Sequence, residues 1–319
     1  FYELALPNDP TVLKRLLTIQ SRLKRKDSAL GLLDILPVEE SNCELYEELG
    51  MWSQARDIYA RQFEESTTNE TALIGLLRCS SVLEDWDRIN SLAHLFNTSA
   101  VDVQEHIGVY YAEAARSTGG DPRVFLKATK GNNPDLFFLK AIEQIDRGSS
   151  KHAKDYISRG RDALCSDKSI ETGNYEPALP TIYKAMSLEE LNDVVKSLDG
   201  QIPKNAVQEI WNRKIGVETL DQSALRSLYL ARSLLPVTPD EKLELQIRYL
   251  KNIRRTGEWE LFDRCYKRFF SEKPAIRADL IRAKIRFDRG IVKNLDELEE
   301  IVRILKDNGP ESIYCDAVC

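Results

Sequence analysis

The residues of this chain best suited to metal, nucleophile or acid–base chemistry are three histidines and six cysteines: His94, His106 and His152, with Cys43, Cys79, Cys165, Cys265, Cys315 and Cys319. A structural zinc site gathers four such side chains at short paired spacings. No C-x-x-C and no H-E-x-x-H occurs, and Cys315 and Cys319 have neither a histidine nor a second pair beside them. Each histidine falls in a stretch of helical periodicity, where a lone imidazole is ordinarily a surface or packing residue. The phosphate loop G-x-x-x-x-G-K-[ST], the dinucleotide turn G-x-G-x-x-G, the G-x-S-x-G elbow and the kinase H-R-D and D-F-G loops are all absent. The chain therefore offers no candidate catalytic residue and no metal-ligand set, and no cofactor is expected within it.

Charge carries the remaining chemistry. Arg248, Lys251 and Arg255 recur at i, i+3 and i+7, which puts three cations on one face of a helix. Such a face suits a polyanion, an inositol phosphate for example; ordinary helix solubility is the plainer reading. The same alternatives apply to Lys14, Arg15, Arg22, Lys24, Arg25 and Lys26. The formal net charge of −6 argues against direct nucleic-acid binding driven by phosphate attraction. No apolar run approaches the roughly 18 residues that a membrane helix needs, so no membrane insertion is expected. Widely spaced cysteines suit buried thiols in a reducing compartment. The chain opens on Phe1, which leads us to expect a fragment of something larger.

The elements that must position these residues share a repeated pattern. From Gly50, Trp52 stands at +2, Ala55 at +5 and Tyr59 at +9. From Gly257, Trp259, Phe262 and Tyr266 hold the same offsets, and from Gly148, Ala153 and Ile157 hold the last two. Trp86 follows Trp52 by 34 residues, a turn is expected a further 34 on beside Gly119, and Gly290 follows Gly257 by 33. A period near 34 with this internal spacing marks tetratricopeptide-like helical hairpins. Glycine accepts the left-handed backbone at the reversal, and the aromatic past it fills the wedge between the helices. The +5 position faces the close crossing and the +9 aromatic plugs the gap to the next pair. Glu84 stands where a glycine is expected. Strand-like alternation is missing, so the fold is read as all-α, an α-solenoid of tetratricopeptide-like hairpins forming a curved superhelix. We divide it into a first repeat block over 1–165, a less regular helical segment over 166–245 and further hairpins over 246–319, all one continuous solenoid.

Several segments carry a resemblance. "NCELYEELGMWSQARDIYARQF", the run Gly75-Leu76-Leu77-Arg78-Cys79, and the pair Asp85-Trp86 resemble the start of the FAT region of phosphatidylinositol-3-kinase-related protein kinases. "GNYEPALPTIYKAMSLEELNDVV" and the stretch with Trp211, Arg213 and Arg232-Ser233-Leu234 continue it, in order, across roughly Asn42 to Phe270. Within the family the Arg-Cys and Asp-Trp combination is most similar to the TOR branch, with ATR-like kinases next. Leu225 stands where members often carry Trp, which marks a divergent sequence. The resemblance implies a helical scaffold that clamps and regulates a serine/threonine kinase domain following it in the full-length chain. It implies regulatory protein subunits as further partners, and ATP and Mg only in the kinase domain, which is absent here. The implied compartment is cytoplasmic, or nuclear for an ATR-like member. The alternative is a stand-alone tetratricopeptide adaptor that binds partner peptides.

Overall fold

The computed structural model describes residues 10–22, 28–29, 31–32, 43–165, 175–214, 222–272, 275–288, 299 and 303. Within these the chain is α-helical, packed as neighbouring pairs in the manner of an α-solenoid, and no strand occurs among the described residues. Gly290, Cys315, Cys319, Lys24, Lys26 and Arg25 lie outside the described residues. The chain forms two compact units, Phe1–Tyr110 and Tyr111–Cys319.

The first unit contains α1 (Pro10–Arg22), α2 (Cys43–Glu48), α3 (Trp52–Glu65), α4 (Glu70–Val82) and α5 (Trp86–Ser91), with a 3₁₀ turn over Ala93–Leu95. Helix α6 (Val101–Ser117) begins in it. Helix α4 starts where the Asn69 side chain accepts the backbone N–H of Ala72 at 3.0 Å, a cap for an otherwise orphaned donor. Ala55, Tyr59 and Phe63 of α3 and Leu73, Leu76 and Leu77 of α4 are buried. Each leucine removed from water in this way contributes about 1.5–3 kcal/mol. Leu17, Ala29, Leu45 and Leu49 form a neighbouring core cluster.

The second unit holds α7 (Arg123–Ala128), α8 (Pro134–Asp146), α9 (Ser150–Cys165), α10 (Tyr175–Leu198), α11 (Lys204–Lys214), α12 (Gln222–Ser233), α13 (Pro239–Thr256), α14 (Trp259–Phe270) and α15 (Ile276–Asp288). Helix α8 packs on α9, α9 on α10, α10 on α12, α12 on α13 and α13 on both α14 and α15. Pro239 at the start of α13 is preceded by Thr238, which forms a reciprocal capping box with Glu241. Gly160, inside α9, faces Leu188 of α10 so closely that an added Cβ would meet its methyls at 3.0 and 3.1 Å.

One backbone device closes the pairs. At Gly50 the N–H bonds to Glu47 O at 2.9 Å, and the next N–H, of Met51, reaches back to Tyr46 O at 2.8 Å. The same two bonds recur at Glu84 and Asp85, at Gly119 and Gly120, at Gly148 and Ser149, and at Gly200 and Gln201. This is the Schellman arrangement, and it needs a left-handed residue at its centre. Gly50 to Glu84 spans 34 residues and Glu84 to Gly119 spans 35, so the repeat is written in the turns. Glu84 adopts φ +53°, the one positive φ at a non-glycine among the described residues. Among the described residues, the left-handed turn at Gly200 is the one between Gly148 and Gly257, in the interval that the sequence pattern leaves irregular.

Two substitutions test this packing. Left-handed backbone costs an L-residue about 1–2 kcal/mol, so Glu84→Gly should be more stable than Glu84→Ala by about 1 kcal/mol in urea denaturation. Equal midpoints for the two variants would remove the left-handed strain from the account. At Gly75, an added Cβ would sit 2.5–2.6 Å from the Tyr59 ring. Gly75→Ala should therefore destabilise the chain by about 1–3 kcal/mol, and a neutral result would show that α3 and α4 do not touch there.

Candidate functional site

The repeat residues gather at the helix reversals. Trp52 and Trp259 are each half-buried and fold back over their own turn: a Cβ on Gly50 would lie 3.9 Å from Trp52 Nε1, and one on Gly257 3.9 Å from Trp259 Cζ2. Ala55, Ala153 and Phe262 are fully buried at the helix crossings, and Trp86 is 8% exposed. Tyr59 lies flat against Gly75 of the following helix. Tyr266 stacks on Phe262 with centroids 6.1 Å apart, donates to the Asp279 carboxylate and lies beneath the Arg282 guanidinium. Burial, reinforced by Asp279, raises the Tyr266 phenol above its ordinary pKa. Gly148 takes φ +70° and Gly257 φ +80°.

Polar groups tie these reversals together at points the hydrophobic pattern did not reveal. Glu47 of α2 accepts from Arg78 Nη2 at 2.7 Å and from Cys79 Sγ at 3.7 Å, both on α4. Tyr59 of α3 hydrogen-bonds to the same carboxylate. Burial first, and then the Glu47 charge, push the Tyr59 phenol and the Cys79 thiol well above their ordinary ranges. Burial also raises the Cys43 thiol. Burial thus disfavours the thiolate, the nucleophilic form, at both cysteines. Arg56, 8% exposed, bridges Asp57 at 2.8 Å and Asp85 at 3.4 Å.

In the second unit two arginines of α12 reach separate helices. Arg232 meets Glu190 of α10 through two bonds of 2.8 and 2.6 Å, with side-chain exposures of 13% and 0%. Its guanidinium lies 5.5 Å from the Trp211 ring centroid. Arg226 contacts Glu113 of α6, with Nη2 donating to Oε2 at 3.0 Å. Trp211 and Arg232 belong to the segment that carried the family resemblance, as do Glu47, Arg78 and Cys79. The structure brings each set into contact.

Around Trp211 and Arg232 opens a cleft of about 210 Å³, also bordered by Gln208, Glu241, Glu244 and Arg248. Its charges are matched internally. Glu244 accepts from Arg248 at 3.1 Å and from Arg277 at 2.7 Å, and these bonds outweigh burial and hold its pKa below the usual value. The Thr238 N–H, Lys204 and Gln208 hold Glu241 down to about 2. Of the three cations aligned in the sequence, Arg248 lines this cleft beside its Glu244 partner, while Lys251 and Arg255 are exposed on α13. The histidines are exposed and bond locally: Nδ1 of His94 with Ser91 O, of His106 with Asp102 O, and of His152 with Ser149 Oγ. Among the described residues no three His, Cys, Asp or Glu side chains group as a metal site, and no helix is long and apolar enough to cross a membrane. Histidine and cysteine were the chemically richest residues of the sequence. Glu47, Glu113 and Glu190 instead join helices through ion pairs, and nothing in the sequence set these three acids apart from the others.

This architecture is that of a helical-repeat protein whose polar groups join helices to one another. No family model matches the chain. Among curated proteins it is 25% identical over 276 residues to the serine/threonine-protein kinase tor1 of Schizosaccharomyces pombe, a match covering 83% of this chain and 12% of that protein. It is 23% identical to the serine/threonine-protein kinase mTor of Drosophila melanogaster, over 81% of this chain and 11% of that protein. It is 21% identical to the target of rapamycin homolog of Caenorhabditis elegans, over 94% of this chain and 13% of that protein. The chain is thus homologous to a segment of TOR serine/threonine kinases, consistent with a TOR-like FAT region, and spans about an eighth of the length of the relatives it matches.

The buried Arg232–Glu190 pair yields a direct test. Removing one member leaves the other charged and dry, at a cost of about 3–5 kcal/mol. Arg232→Met should show that loss in denaturant unfolding, and Arg232→Met with Glu190→Leu should recover most of it. A double variant as unstable as the single one would show that the pair is not what holds α12 to α10. Acid gives a second test. Glu241 binds its proton less readily in the fold than its ordinary value of 4.5 implies. Its contribution is therefore complete above about pH 4.5 and lost as the pH falls towards about 2. Glu241→Gln should flatten acid unfolding over that window, and an unchanged acid profile would refute the assignment.

Proposed function

We propose that this chain is a helical scaffold from the FAT region of a large TOR-like serine/threonine protein kinase. It clamps and regulates a kinase domain that follows it in the full-length protein. One observation carries the reading: four TOR kinases match over 78–94% of this chain, yet the match takes up only 11–13% of their length. Phosphoryl transfer needs a phosphate-covering loop, a base and metal-holding carboxylates. None of those sequence motifs lies here, so ATP and Mg²⁺ belong to the kinase domain rather than to these helices. Stacked hairpins joined by buried ion pairs suit a part that holds position while other parts react. Its partners are its own kinase domain and regulatory protein subunits, in the cytoplasm, or in the nucleus if the parent is ATR-like.

The test is made on the native protein. An antibody to these residues should isolate a product far larger than 36.5 kDa that phosphorylates serine or threonine. Cross-linking mass spectrometry should join lysines of this chain to the kinase domain. A product near 36.5 kDa without phosphoryl transfer would favour the peptide-binding adaptor and overturn the proposal.

A further inference from the structure

Most cations of the second unit are matched. Lys184 holds Asp135 at 2.8 Å, Arg147 holds Glu143 at 2.6 Å, and Lys154 holds Asp199 at 2.7 Å. The α8–α9 hairpin carries an exception. Arg159 of α9 is exposed and lies over the Phe137 ring at 4.7 Å and the Tyr156 ring at 5.7 Å from their centroids. Lys140 of α8 is half-buried and donates from Nζ to the Thr129 carbonyl at 3.3 Å. Lys130, the residue after Thr129, is a third cation and is exposed like Arg159. Among the described residues neither Arg159 nor Lys140 pairs with a carboxylate. Phe137 and Lys140 stand three residues apart on α8, so the guanidinium stacked on Phe137 and the Lys140 ammonium border the same side of the hairpin. Burial, and then the charge of Arg159, lower the Lys140 ammonium's pKa.

Two like charges held by a ring face and a carbonyl, neither paired with a carboxylate among the described residues, form an electrostatic gap that an anion would close. Stacking on Phe137 orients the guanidinium fork, and such forks take a carboxylate through two parallel bonds. A few cations on a chain of net charge −6 do not make a nucleic-acid track. We propose that this face of the α8–α9 hairpin docks an acidic segment of a protein partner, with one Asp or Glu carboxylate seated between Arg159 and Lys140. The seat is separate from the matched cleft at Trp211 and does not depend on the kinase reading.

The probe is fluorescein-labelled hexaglutamate, titrated by anisotropy at low salt against the full-length protein that carries these residues. Saturable binding is expected, with none for hexaglutamine. Arg159→Ala should weaken it several-fold, and Arg159→Ala with Lys140→Gln at least tenfold, while Arg61→Ala, at an exposed cation of α3, leaves it unchanged. Arg159 is exposed, so the single variant reports even if Lys140→Gln impairs folding. Unchanged affinity in Arg159→Ala would overturn the proposal, as would equal binding of hexaglutamine. Displacement of the peptide by inorganic phosphate or duplex DNA at lower concentration than by unlabelled hexaglutamate would assign the face to a different anion and overturn it equally.

Discussion

A left-handed backbone residue at the end of the first helix of a pair sets how near the second helix can approach, and the rest of the packing follows from that distance. With the chain reversed at Gly50 and Gly257, Trp52 and Trp259 fold back over their own turns, and buried small residues such as Ala55 and Ala153 fit at the crossing. Neither helix of such a pair can bury its apolar stripe alone, so each pair requires a neighbour. Glu84 shows how strongly the geometry is imposed, because the reversal is kept there despite the cost to a residue with a Cβ.

Hydrophobic stacking does not by itself choose one register between helices, since sliding by a turn exchanges similar contacts. Carboxylates that are buried or partly buried make that choice. Glu47 engages α3 and α4 at once, and α12 sends Arg226 to Glu113 and Arg232 to Glu190. The Arg226–Glu113 contact spans 113 residues, well beyond the next pair in a simple stack. Buried ion pairs of this kind contribute little net stability when formed but are costly to break. They therefore penalise alternative arrangements, which suits a chain whose proposed part is to hold other components in place.

The charge pattern separates two kinds of surface. In the cleft at Trp211, each cation near the opening already faces a carboxylate, so the groups hold helices together. On the α8–α9 hairpin, Arg159 lies over ring faces and Lys140 on a backbone carbonyl, and neither pairs with a carboxylate among the described residues. The homology to TOR kinases covers both surfaces, and the reaction for which those relatives are named uses motifs that this segment does not contain.

Much of the fold could be read from the chain alone, because helix periodicity, turn residues and the +2, +5 and +9 offsets are local features and local geometry follows from them. The helical class, the reversals at Gly50, Gly148 and Gly257, the turn near Gly119 and the misfit at Glu84 were all visible in this way. So was the family resemblance, through residues such as Arg78, Cys79, Trp211 and Arg232. What those residues touch was not visible. Arg78 and Glu47 are 31 residues apart, Arg232 and Glu190 42, and Arg226 and Glu113 113. Such pairs form only when whole helices dock, and one acidic residue looks like any other until its partner is known. Periodicity along the chain determined which helices form and where they turn back; the docking of those helices decided which charges were buried together and which were left facing outward.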